Sequence, residues 1–166
     1  MSTQQPTPDQ IKSITDKLKI ENQFKGGASW FYWIGGMSIV NSLAILFGAN
    51  WSFFAGLGAT QFIDGVFLAI VQQSSGTLAT IIQIVGFGIN LGIAGLFILL
   101  GVFARRKNRW AFIVGMVVYG LDSLIFLWFR DFIGFAFHIF VFFMLRVGLQ
   151  ALDSLARPDQ AQSFAA

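Results

Sequence analysis

Five apolar stretches divide the chain, at residues 29–48, 53–71, 79–103, 110–129 and 132–150. Four of them keep polar residues to a minimum over the roughly 20 residues that a helix needs to cross a bilayer. The stretch 53–71 differs. Gly56, Gly58 and Gly65 interrupt it, and Thr60, Gln61 and Asp64 fall inside it. Gln61, Asp64, Leu68 and Gln72 follow one mostly polar helical stripe, with Phe62, Val66, Phe67 and Ile70 elsewhere. That pattern predicts an interfacial or re-entrant helix on the outer side, with Gln61 and Asp64 turned to water or to the outer turn.

Ahead of the first stretch, residues 1–6 are polar and read as disordered. Thr7, Pro8 and Gln10 then form a helix start, with Thr7 as N-cap and Gln10 closing a capping box. Ile11, Ile14 and Leu18 follow at helical spacing, interspersed with Lys12, Lys17, Lys19 and Lys25. A basic amphipathic helix over 8–25, lying on anionic headgroups, accounts for this; a solvated helical arm is the alternative. The expected fold class is an all-α integral membrane protein. It is a bundle of four transmembrane helices, with this N-terminal surface helix and the interfacial or re-entrant helix as additions. The organisation is an arm over 1–28, a membrane domain over 29–152 and a flexible tail over 153–166.

Charge decides between four crossings and five. Eight of the eleven Lys and Arg residues lie in two clusters, the N-terminal lysines and "RRKNR", which holds Arg105, Arg106, Lys107 and Arg109. Five crossings would put these clusters on opposite sides, against the positive-inside bias. Four crossings put both, with Arg146 and Arg157, on the cytoplasmic side and leave Arg130 outside. Trp30, Trp33, Trp51, Trp110 and Trp128 then all fall near membrane–water boundaries, where such rings are favoured. The expected setting is the plasma (inner) membrane, multi-pass, with both termini cytoplasmic.

Only 11% of residues are charged, against about 25% in soluble domains. The absence of Cys excludes disulfides, thiolate nucleophiles, iron–sulfur clusters and Cys-based zinc sites. The pI near 9.6 does not imply nucleic acid, because the basic residues flank apolar segments. No cofactor or metal site is expected: one His with one Asp and amide oxygens is a thin ligand set.

Two costly residues lie in the hairpin formed by the last two spans, Asp122 and His138, the only histidine. Asp122 precedes the turn at Arg130 and Asp131 by about as many residues as His138 follows it. Both therefore sit at one depth, about 10–12 Å below the outer surface, and are expected to be hydrogen-bond partners. Asn41 and Asn90 fall at similar depth in the first two spans, and Tyr119 and Ser123 are further members of the cluster. Ser123, Asp122 and His138 do not make a triad, because neighbouring residues on one helix point about 100° apart; no enzyme motif is present. Gly88 and Gly92 make a GxxxG pair, extended by Gly95, which predicts close helix packing within the chain or with a second copy. Arg146 is expected to reach headgroups or to pair with Asp153.

These features support a structural or accessory subunit whose polar cluster fixes helix pairing while its faces meet lipid, a second copy or a larger membrane complex. The alternative is a small proton-coupled transporter or channel in which Asp122 and His138 form a protonatable site.

Overall fold

The structure, a computed structural model, describes residues 7–48 and 55–157. It is all helical there: α1 (Pro8–Leu46), α2 (Gly58–Gln72), α3 (Gly76–Arg105), α4 (Arg109–Trp128) and α5 (Phe132–Leu155). Four helices are long and apolar enough to cross a membrane; α2 is not. At 15 residues it extends about 22 Å, short of a hydrocarbon core of about 30 Å. The expected disorder of 1–6, Trp51 and the polar end beyond Arg157 lie outside the described residues.

The long helices alternate in direction. Ser42 meets Asn90 and Ser29 meets Arg105, so α1 and α3 run antiparallel. Trp30 packs on Phe140 of α5, while Arg109 of α4 pairs with Asp153 of α5. The N-terminal lysine cluster and "RRKNR" therefore flank the same end of the bundle, here called the basic end. Arg130 lies in the turn at the other end, with φ 58°. Asp131 N–H donates to the Phe126 carbonyl across that turn, the closing bond of a Schellman motif.

The core is aromatic, and glycines let it close. Phe31 is fully buried against Phe112, with ring centroids 5.7 Å apart. Gly115 of α4 leaves room for that ring, and Gly101 of α3 leaves room for the Phe31 Cβ and the Tyr32 ring. At the basic end α1 and α5 touch backbone to backbone: a Cβ on Gly148 would stand 2.7 Å from the Gly27 Cα. Such contacts suit helices that lack a hydrophobic force between them and pack by close approach.

Three expectations about elements change. First, the amphipathic segment 8–25 and the first span are one helix of 39 residues, begun by the Thr7–Gln10 capping box. Gly26 and Gly27 do not break it, because Gly27 is held against α5. Ile11, Ile14 and Leu18 are exposed where α1 runs on past the basic end. Second, Gly88, Gly92 and Gly95 meet nothing within 4 Å among the described residues, which leaves their second-copy alternative; the glycine of that stretch that packs within the chain is Gly86, under the Phe67 ring. Within the described chain the GxxxG face has no neighbour. Third, α5 continues to Leu155, so Asp153 is helical and pairs with Arg109 at 2.9 Å rather than with Arg146. Arg146 is exposed.

Gly27→Ala should lower stability in detergent by about 1–3 kcal/mol, the usual cost of overpacking. Gly92→Ala should change it by less than about 0.5 kcal/mol. Thermal unfolding of both variants checks this; equal losses would contradict the assignment of which glycines pack.

Candidate functional site

The short helix α2 starts inside the bundle. Leu57 lies at the level of Ser38, about 12 Å back along α1 from Leu46: the Leu57 N–H donates to Ser38 Oγ at 2.9 Å. A helix start leaves backbone N–H groups without partners. Leu57, the residue at the N-cap, has no side chain to satisfy them. Asp122 of α4 does so instead. Its Oδ2 accepts from Gly58 N at 2.7 Å and its Oδ1 from Ala59 N at 2.8 Å. The positive end of the α2 dipole thus faces a carboxylate. Two glycines permit the approach. A Cβ on Gly56 would lie 2.7 Å from Asn41 Nδ2, and one on Gly58 would lie 2.8 Å from the Phe126 ring.

His138 completes the arrangement. Its Nε2 lies 3.1 Å from Asp122 Oδ2 and its Nδ1 lies 2.8 Å from the Gly134 carbonyl oxygen. A carbonyl oxygen can only accept, so Nδ1 carries a hydrogen. The Nε2–Oδ2 contact then needs one proton between two atoms that otherwise both accept. The pair is neutral overall whichever partner holds that proton, which lowers the cost of burying it. Both side chains are at least 96% buried. The imidazole is stacked on Tyr119, with centroids 4.4 Å apart and planes at 14°, and Phe126 covers its other contact at 4.4 Å.

A second carboxylate lies on α2 itself. Asp64 is 7% exposed and accepts from the Ser42 hydroxyl at 2.7 Å and from Asn90 Nδ2 at 2.6 Å. Asn90 also reaches Ser42 Oγ at 3.0 Å and the Thr60 carbonyl oxygen at 3.2 Å. The polar residues therefore form two groups rather than one. Asp122 and His138 meet as the hairpin arithmetic requires. Asn90 belongs with Asp64 instead. Asn41 is fully buried beside Gly56. Tyr119 joins by ring stacking, and its hydroxyl is buried without a partner among the described residues. Ser123 turns back to the Gly120 carbonyl oxygen.

The expectation that Asp64 faces water or the outer turn is overturned. The stripe through Gln61, Asp64 and Leu68 is correct as helical geometry, but at Asp64 it faces α1 and α3, where Ser42 and Asn90 wait. Asp131 instead caps α5 through Gly134 N at 3.0 Å. Nothing in the sequence pattern marks Ser38 or Ser42, and Thr60 enters it only as a polar interruption of 53–71; small hydroxyls carry no signal in an apolar helix beyond their helical spacing to Asn41 and Asp64. Of the basic residues proposed to meet headgroups, Lys25 pairs with Glu21 at 3.5 Å and Arg105 bonds Ser29 at 2.7 Å and lies over Tyr32. Lys12, Lys19, Arg106 and Lys107 are exposed at the basic end.

The described cavities lie beside these groups, not through them. One of about 340 Å³ lies between Trp30, Met37, Gly56, Tyr119 and Phe137, and one of about 30 Å³ borders Asp64, Ser42 and Gln83. A third, of about 470 Å³, borders Gly58, Phe126 and Asp131. None of the three is lined by Asp122 or His138. No protein-family model, curated protein or solved structure matches the chain.

Tyr119→Phe should leave the fold intact and raise stability by up to about 1 kcal/mol, since it removes a buried hydroxyl that has no partner. Thermal unfolding measures this. A loss of 1 kcal/mol or more would mean that the hydroxyl is bonded.

Proposed function

We propose that the chain is a small four-span plasma-membrane protein, with both termini cytoplasmic, acting as a structural or accessory subunit. In this reading α2 belongs to a re-entrant element: it starts at mid-depth and runs back to the outer face. Non-helical backbone at membrane depth is tolerated only where protein satisfies it, and the Asp122–His138 pair with Ser38 does this for residues 57–59. The single observation that carries the reading is that every hydrogen-bonding atom of Asp122 and His138 is used within the fold, and that neither residue lines a described cavity. A saturated pair is a clamp. The outward faces of the helices, including Gly88 and Gly92, are then free for lipid, a second copy or a larger complex. The exposed lysines and arginines at the basic end favour anionic headgroups there.

The proton-coupled alternative has one observation in its favour: the pair shares a single proton between Nε2 and Oδ2. Asp122→Asn separates the two readings. An amide has one acceptor oxygen, so it cannot serve both α2 amides and stay bonded to the imidazole. One buried N–H loses its partner, and stability should fall by about 1–3 kcal/mol. That exceeds the roughly 0.6 kcal/mol average for a membrane hydrogen bond. Reconstituted vesicles should show no proton flux for the wild type or the variant. A wild-type flux that Asp122→Asn abolishes without loss of stability would establish the alternative.

The topology has its own test. Cysteines placed at Lys12 and Lys107 should be shielded from an impermeant thiol reagent outside intact cells, while one at Asp131 should be labelled. Labelling at Lys107 would contradict four crossings with cytoplasmic termini.

A further inference from the structure

The two carboxylates that flank α2 differ in one respect. Asp122 has a proton-bearing imidazole and two helix amides to offset its charge. Asp64 has only neutral neighbours. Ser42 from α1 and Asn90 from α3 bond it, Gln83 lines the same cavity, and it takes part in none of the ion pairs of the described residues. A buried carboxylate without a countercharge is costly. Burial holds its carboxyl above the ordinary value, while the Ser42 and Asn90 bonds oppose that.

Two further observations point to what completes the site. Three oxygens converge on one point: Asp64 Oδ1, Ser42 Oγ and the Thr60 carbonyl lie 2.6, 3.0 and 3.2 Å from Asn90 Nδ2. An amide nitrogen has two hydrogens for these three acceptors. Meanwhile Asn90 Oδ1 has no partner among the described residues, although the residue is only 1% exposed. Half a turn of the amide would bring that oxygen to the same point. With nothing else present, the exchange would set oxygen against oxygen. With a positive charge there it becomes favourable. A protonated Asp64 would donate to Asn90 Oδ1, or a small cation would gain it as a fourth oxygen ligand. The cavity of about 30 Å³ beside Asp64 has room for one water or one bare monovalent ion.

We propose that Asp64, Ser42, Asn90 and the Thr60 carbonyl form a binding site for one monovalent cation, a proton or a sodium ion, with the Asn90 amide turning as the site fills. The site is distinct from the Asp122–His138 clamp, and it places the titratable function of the molecule on α2, the element the clamp holds. Leu46 and Gln83, which also line the cavity, belong to the end of the bundle opposite the basic cluster. The ion would therefore come and go at that end.

The sign of the pH dependence follows from the raised carboxyl. It binds its proton more tightly folded than unfolded, so its contribution to stability is complete at low pH and is lost as pH rises through the folded value.

The test is thermal unfolding of the full chain in lipid nanodiscs at pH 5 and pH 8, in sodium, potassium or choline chloride, for wild type, Asp64→Asn and Ser42→Ala. If the ion is a proton, acidification should stabilise wild type more than Asp64→Asn, by about 2–4 °C in a chain of this size. Sodium should then have no effect. If it is sodium, the same excess should appear on adding sodium, not potassium, at pH 8. Ser42→Ala, which removes a donor to the ionised carboxylate, should weaken the sodium response or move the acid response to higher pH. Should Asp64→Asn fail to fold, Ser42→Ala decides. Responses to both pH and sodium that match wild type, in whichever variant folds, would overturn the site.

Discussion

The fold turns on one constraint: a helix that begins in the middle of an apolar bundle must have its first amides satisfied there. Gly58 is buried, and Leu57 has no polar side chain to offer. Asp122 reaches across from α4 and takes Gly58 and Ala59 at 2.7 and 2.8 Å. That places a carboxylate in the core, which in turn calls for His138 at 3.1 Å and for the Gly134 carbonyl to fix the imidazole's orientation. Tyr119 and Phe126 then hold the ring from either side. Each element of the sequence that looked expensive in isolation is there because the previous one requires it.

The same constraint explains the glycines. Gly56 and Gly58 let the chain pass Asn41 and Phe126 so that α2 can start where Asp122 is. In a stretch read by composition alone, these residues only weaken a span. In place, they bring backbone close to side chains that must touch it. The glycines most conspicuous in the sequence, Gly88 and Gly92, face away from all of this. A spacing motif shows that close approach is available on a face; which face the neighbours occupy is set by the larger residues around it, here Asn90, Ala94 and Phe97 on the inner side of α3.

Much of the architecture was legible because it rests on run length, helical period and charge. The four long helices, the short 53–71 element, the Thr7 capping box and the meeting of Asp122 with His138 all follow from counting residues. Contacts between segments distant in sequence were less accessible. Asn41 and Asn90 share a depth with Asp122, but depth fixes only one coordinate; the rotation of each helix about its axis decided that Asn90 meets Asp64. Asp64 was misread because its polar stripe implies solvent for an isolated helix, whereas α1 and α3 offer it Ser42 and Asn90. The continuity of α1 was hidden by the change from polar to apolar composition near Ser29, which alters the surroundings of a helix without ending it.

The central claim is that Asp122 caps α2 from another helix. Amide hydrogen exchange at Gly58 and Ala59 reads this directly. First-turn amides are ordinarily without helical partners and exchange as fast as frayed ends. Here they should be protected to the same degree as amides in the middle of α1 and α3, and Asp122→Asn should release at least one of them while the long helices stay protected. Rapid exchange of both amides in the wild type would contradict the account.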